Sequence, residues 1–147
     1  FRRSAVGFIF QQFYLMPYLS AYDNIRTALA LRGVSNDGKI GEIAQRLGIA
    51  DRLAHRPAEL SVGEQQRVAM ARTLVCEPGI ILADESTGNL DAANRDIIAA
   101  CLAEEHERGR TIVLATHEER LIELGTRTLE LYQGKIQEAE TMIETKT

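Results

Sequence analysis

Two segments in the middle of the chain, at residues 60–67 and 80–85, constrain its fold more than any other feature. In the first, Ser61 precedes Glu64 by three residues, the Ser-x-x-Glu pattern of a helix N-cap with a capping box. A helix N-terminus exposes backbone N–H groups and the positive end of the helix dipole, so it suits an anion such as phosphate. Gly63 has no side chain, which would let another molecule approach the backbone closely.

The second segment is a short apolar run, Ile-Ile-Leu-Ala, that ends in Asp84 and Glu85. A short apolar run of this kind predicts a buried strand. Ligands of open α/β sheets lie at the carboxyl ends of strands. One carboxylate at such a position can hold a hydrated metal, and the next can orient or deprotonate a water. For Asp84 and Glu85 considered alone, two solvated carboxylates are the simpler interpretation.

Composition limits the function classes that remain. The chain has 147 residues, which fits one domain or part of one. A hydrophobic content of 45% is enough for a core, and the net charge of −4 gives no basic face, so nucleic acid is not a predicted partner. No apolar run approaches the ~20 residues of a membrane span. The cysteines and histidines lack the spacing of a metal site.

Apolar periodicity predicts an α/β chain. Strands are predicted at residues 6–10, 79–83 and 111–115, and a hairpin at 126–132 and 135–137 that turns at 133–134. Helices are predicted at residues 20–31, 36–47 and 118–124, with a short helical turn at 51–55. Two further helices are predicted to begin at Ser61 and at Asp91, and the second of these ends near residue 109. The polar tail from residue 138 is predicted to be loose.

A glycine-containing stretch at residues 33–39 fits the first seven positions of the phosphate-loop pattern G-x-x-x-x-G-K, but we reject it. Ile40 stands where a Ser or Thr must reach Mg²⁺, and a predicted helix, not a strand, precedes the stretch. Asp37 would place negative charge beside the phosphates. A turn between two helices is the better interpretation.

In their order along the chain, the two central segments resemble the signature loop and the Walker B strand of the ABC-transporter ATPase family. The family signature reads Leu-Ser-Gly-Gly-Gln. Here Val62 replaces the first Gly and Glu64 replaces the Gln, whereas Ser61 and Gly63 are retained. The Gln-Gln-Phe run and the Ser-Thr-Gly-Asn-Leu-Asp run look most like the lipoprotein-release and macrolide-export branch of the family.

The resemblance implies a catalytic set. Gln11 matches the Q-loop glutamine, which approaches the metal and the attacking water. Asp84 would hold Mg²⁺ through water, and Glu85 would orient or activate the attacking water. His117 matches the switch histidine, whose imidazole contacts the terminal phosphate. We expect these four side chains to converge on one pocket.

The resemblance also implies a second set, which would act on ATP held by the opposite protomer of a head-to-tail dimer. This set consists of Ser61, Gly63 and Glu64 in the signature loop and Asp91 in the D-loop. Asp91 is equally a plain N-cap for the helix that follows it, and the two roles are compatible.

The implied fold is a partial RecA-like parallel sheet, a P-loop NTPase fold lacking its N-terminal part, with an inserted α-helical subdomain. The core would comprise residues 1–14 and 76–138, the subdomain residues 15–75, and the tail residues 139–147.

The implied cofactors are ATP and Mg²⁺. The implied partners are a second ATPase subunit and a transmembrane permease that contacts residues 13–18, where Phe13, Tyr14 and Tyr18 surround a proline. The subunit would lie peripherally on the cytoplasmic face of the cell membrane.

The chain begins at Phe1 and runs straight into a strand, so we expect a missing N-terminal part. In the family, the phosphate loop lies upstream of the Q-loop, where this sequence has nothing. We therefore expect the chain alone neither to bind nor to hydrolyse ATP appreciably, and its open sheet edges to favour aggregation or exchanged pairing. Two alternatives stay open: an ABC ATPase of repair or translation, or a non-catalytic truncated product.

Overall fold

The computed structural model describes residues 6–33, 37–85 and 90–138. The strands are β1 (Val6–Phe10), β2 (Ile80–Asp84), β3 (Thr111–Ala115), β4 (Leu129–Tyr132) and β5 (Lys135–Glu138). The helices are α1 (Ala21–Ala30), α2 (Asp37–Arg46), α3 (Val62–Leu74), α4 (Ala92–Glu107) and α5 (Glu119–Ile122). Two short 3-10 turns, Ala50–Arg52 and Pro57–Glu59, lead into α3. The order of elements agrees with the sequence prediction, with boundaries shifted by a few residues.

Strands β1, β2 and β3 form a parallel sheet in the order β1-β2-β3. At the carboxyl end of the sheet, Phe10 pairs with Asp84, and Asp84 pairs with Ala115. The three strands therefore end at one edge, which is the edge where open α/β sheets bind ligands.

The two faces of this sheet differ in burial. Ile9, Ile81 and Ala83 are buried on one face. On the opposite face, Phe8 is 51% exposed and Val113 is 55% exposed. The apolar runs predict strands buried throughout, and this prediction is correct for one face only. Continuous apolar strands are typical of sheets that helices cover on both sides.

The helices at residues 21–74 share one apolar core with the parallel sheet and α4. The predicted apolar face of α2 is confirmed, because Ile40, Ile43, Ala44 and Leu47 are all buried. Gly48 follows this helix with φ +61°, the left-handed conformation that ends many helices.

The rejected phosphate-loop stretch joins α1 to α2. Residues 34–36 lie outside the described residues, and Asp37 already belongs to α2. Since α1 precedes the stretch, the geometry of a strand followed by a phosphate loop is absent here.

A boundary between Thr116 and His117 divides the chain into two compact units. In the second unit, β4 and β5 pair antiparallel, as predicted. Gln133 and Gly134 both have positive φ (48° and 75°), which the tight turn of a two-residue hairpin requires. No helix among the described residues is both long enough and apolar enough to cross a membrane.

Candidate functional site

The carboxyl edge of the parallel sheet brings together three of the four predicted catalytic residues. Gln11 follows Phe10 at the end of β1, and Glu85 follows Asp84 at the end of β2. Neighbouring strands lie about 4.8 Å apart, so the backbones of these residues are adjacent. Gln11 and Asp84 are exposed and Glu85 is half-buried. Two carboxylates and one carboxamide thus share a solvent-accessible edge.

The backbone of Glu85 is held in an uncommon conformation. Its φ is +45°, a region that non-glycine residues rarely adopt. Its N–H donates to the carbonyl oxygen of Ala115 at 2.9 Å. This hydrogen bond ties the residue after β2 to the end of β3, so Glu85 leaves the sheet in a defined direction.

His117 follows β3 by two residues in the sequence and is exposed. It is the first residue of the second compact unit. Its convergence with Gln11, Asp84 and Glu85 therefore stays a prediction.

The capping box of the central segment is confirmed. The Ser61 N–H donates to Glu64 Oε2 at 2.8 Å, and the Glu64 N–H donates to Ser61 Oγ at 3.2 Å. Arg52 adds a contact that the sequence pattern does not contain, with its Nε donating to Glu64 Oε1 at 2.7 Å. The hydrogen bond from Arg52, followed by that from the Ser61 amide, lowers the pKa of Glu64 to about 2. Glu64 is thus a fixed anion that orders the loop.

Gly63 is buried, in contrast to its exposed neighbours Ser61 and Val62. A Cβ at this position would overlap with the carboxamide of Asn94, which projects from α4. Packing within this chain therefore requires a glycine at position 63. The sequence pattern had indicated only that another molecule could approach.

Asp91 is the N-cap of α4, as predicted. Its Oδ1 accepts from the N–H and from Nδ2 of Asn94, both at 2.8 Å. These hydrogen bonds, the backbone one first, lower the pKa of Asp91. Gly88 and Asn89, which belong to the predicted D-loop, lie outside the described residues.

A profile of the ABC transporter family matches residues 1–88 of the chain. The chain belongs to the ABC transporter family. This membership confirms the resemblance drawn from the signature loop and the Walker B strand.

Curated relatives support the predicted branch. The chain is 42% identical over 140 residues to the lipoprotein-releasing system ATP-binding protein LolD of Geobacter metallireducens, covering 92% of this chain and 62% of the relative. It is 44% identical over 138 residues to LolD of Aquifex aeolicus, with the same coverage of both chains. It is 39% identical over 138 residues to the macrolide export ATP-binding/permease protein MacB 1/2 of Paracoccus denitrificans, covering 92% of this chain and 21% of that protein. The chain thus spans less than two thirds of these relatives.

A solved ABC structure confirms the fold. The chain superposes with a TM-score of 0.82 and 36% identity on an ATP-binding cassette solved as a dimer in a post-hydrolysis state with ADP and Pi, covering 93% of this chain and 64% of that one. The fold is a partial P-loop NTPase fold, as predicted.

The ABC family implies Mg²⁺, and the carboxyl edge provides a suitable donor set. Mg²⁺ binds one or two carboxylates together with phosphate oxygens and water, not a dedicated protein cage. The exposed carboxylate of Asp84 fits this requirement, and exposed Gln11 follows the strand residue that pairs with Asp84. Phosphate and water would complete the coordination. Within the described ranges, no cluster of three or more His, Cys, Asp or Glu is suited to hold a metal.

The loop that follows Gln11 presents an ordered aromatic surface. Tyr14 is 64% exposed and Tyr18 is 86% exposed. Arg72 of α3 donates from Nη2 to the Phe13 carbonyl at 2.8 Å and from Nη1 to the Tyr14 carbonyl at 2.7 Å. The buried Asn24 accepts at Oδ1 from the Met16 N–H at 2.8 Å. The sequence analysis missed Arg72 and Asn24, because no local pattern distinguishes them from other helix residues.

Proposed function

We propose that this chain is part of an ATP-hydrolysing subunit of a membrane transporter. The observation that carries the proposal is the register of β1 and β2, which aligns Phe10 with Asp84 and so brings Gln11 beside the carboxylates. Family membership and the relatives' names, which include lipoprotein release and macrolide export, support the transporter role.

Each residue at the carboxyl edge has a proposed part in hydrolysis. Phosphoryl transfer depends on positioning and on neutralising charge, and a bound Mg²⁺ supplies part of that neutralisation. Asp84 would hold the metal through water. Glu85 orients or deprotonates the attacking water, and Gln11 approaches both. His117 contacts the terminal phosphate.

The signature side of the chain would serve a second subunit. Ser61, Gly63, Glu64 and Asp91 would face ATP bound to the partner in a head-to-tail dimer. Ser61, the N-cap of α3, is exposed, and the N-terminus of a helix is a common binding site for phosphate. The dimeric state of the solved relative with ADP and Pi is consistent with this arrangement.

The chain alone would be inactive, because its sequence contains no complete G-x-x-x-x-G-K-[ST] pattern. Most of the binding energy for the β- and γ-phosphates would then be missing. A nucleotide titration of the chain should show no micromolar affinity for ATP. A hybrid that places the phosphate-loop segment of the Geobacter relative ahead of this chain should bind and hydrolyse ATP. Micromolar binding by the chain alone would refute the inactivity, and a folded, ATP-binding hybrid without hydrolysis would refute the catalytic assignment.

The aromatic surface at residues 13–18 would dock on the transmembrane permease, which places the subunit on the cytoplasmic face of the membrane. Charges introduced as Tyr14→Glu and Tyr18→Glu should abolish transport by the assembled transporter and leave basal ATPase activity intact. Unchanged transport would refute docking at this surface, whereas a complete protein that assembles with no permease would favour the repair or translation type of ABC ATPase.

A further inference from the structure

The glycine of the signature loop lies directly against a side chain of α4. Gly63 is buried, and a Cβ on it would overlap with Cγ, Oδ1 and Nδ2 of Asn94, with Nδ2 only 2.5 Å away. Real Cβ atoms do not approach other heavy atoms this closely. Since the neighbouring atoms form a planar carboxamide that is itself hydrogen-bonded, an alanine at this position would have to displace Asn94.

The Asn94 carboxamide is held at both ends. Its Nδ2 donates to Asp91 Oδ1 at 2.8 Å, and its Oδ1 accepts from Arg67 Nη1 at 2.8 Å. A carboxylate needs a donor and a guanidinium needs an acceptor, so only one orientation of the amide satisfies both partners. The carboxamide therefore bridges Arg67 on α3 and Asp91 at the start of α4.

We propose that Asn94 is a positioning residue for ATP hydrolysis, because its carboxamide holds the signature loop at Gly63 in a fixed place relative to Asp91. The inference rests on the proposed function, in which both elements face the nucleotide of the second subunit. Asn94 touches no nucleotide in this scheme and acts through Gly63 and Asp91. Gly63 is then needed to accommodate Asn94, whatever approaches from the other subunit.

A double-substitution cycle in the 147-residue chain tests the contact without any nucleotide. Gly63→Ala should destabilise the chain more when Asn94 is present than in the Asn94→Ala background, with a difference of about tenfold in the unfolding equilibrium constant. The reason is that alanine at position 94 leaves room for the new Cβ at position 63. Gly41→Ala is the matched control, since a Cβ on Gly41 meets no atom within 4 Å. Its effect should be the same in both backgrounds.

Additive effects of the two substitutions in urea unfolding would overturn the contact. If Gly63→Ala alone does not fold, recovery of a folded chain in the double variant supports the same conclusion. A double variant that also fails to fold would contradict it.

The hybrid with a phosphate loop tests the role in hydrolysis. Asn94→Ala should lower kcat about 10- to 100-fold with the KM for ATP unchanged, because the displaced loop would act after ATP binds. The double variant, which carries both Gly63→Ala and Asn94→Ala, should have a higher kcat than the Gly63→Ala single variant. Wild-type kcat in Asn94→Ala, or a double variant as slow as Gly63→Ala, would overturn the proposal. A wild-type hybrid without ATPase activity would count against the proposed function, whereas the unfolding cycle tests the contact independently.

Discussion

Two neighbouring carboxylates on α4 should differ sharply in their contribution to stability, although both pair with the same arginine. Glu105 is fully buried and accepts from Arg46 Nη2 at 2.7 Å. It also forms an ion pair with Arg110, the residue that precedes β3. Glu104 accepts from the same Arg46 Nη2 at 2.9 Å, but its side chain is 54% exposed.

The substitution Glu105→Gln keeps the size of the side chain and removes its charge. Arg110 then loses this partner and Arg46 keeps only the exposed Glu104, although the two arginine side chains are only 15% and 25% exposed. Removing one partner from a buried ion pair destabilises a protein by roughly 3–5 kcal/mol, because the remaining charge is desolvated and uncompensated. Exposed pairs contribute about 0–1 kcal/mol. We therefore expect a loss of about 3 kcal/mol for Glu105→Gln and under about 1 kcal/mol for Glu104→Gln.

Urea unfolding of the two variants at low and high salt measures this difference. The loss in Glu105→Gln should persist at high salt, because buried charges are little screened, whereas the small effect of Glu104→Gln should vanish. Equal losses in the two variants would refute the reasoning. Such a result would mean that the buried ion pair between Arg46 and Glu105 does not stabilise the packing of α2 on α4.

Two further predictions concern acid stability and thiol reactivity. Because the folded-state pKa of Glu64 lies at about 2, below its ordinary 4.5, its carboxylate should stabilise the fold above pH 4.5 and lose that effect as the pH falls towards 2. Wild type should therefore lose more stability than Glu64→Gln between pH 5 and 3 in urea titrations, and parallel curves would contradict the pairing with Arg52. Burial raises the pKa of Cys101 to about 11, and burial raises that of Cys76 as well. A thiol reagent at pH 8 should modify buried Cys101 more slowly than half-buried Cys76, and an equal rate would show that Cys101 is accessible.

The parts of the fold and site that could be predicted from the sequence depend on neighbours in the chain. The strand at Thr111–Ala115 has the predicted bounds because five apolar or β-branched residues lie between turn residues. The capping box of α3 was predictable because Ser61 and Glu64 are three residues apart. Helix α2 and its buried face followed from a spacing of 3.6 residues per turn.

Most of the missed contacts join residues far apart in the sequence. Arg46 and Glu105 are 59 residues apart, and so are Arg72 and Phe13. Arg67 and Asn94 are 27 residues apart. The periodicity of apolar residues does not reveal such pairs, because their members meet only when distant segments of the chain pack together. The family resemblance gave Gly63 a role towards a second subunit, and the packing of α3 on α4 gives it one within its own chain.

The central claim is that the carboxyl edge of the sheet is the site of hydrolysis. Its most direct test is ATP turnover by the phosphate-loop hybrid and by its Glu85→Gln variant, with ATP binding measured on both. The account predicts that the variant binds ATP like the wild type and loses about 10²- to 10⁴-fold in kcat, the contribution typical of a general base. A variant that hydrolyses ATP at the wild-type rate would contradict the claim.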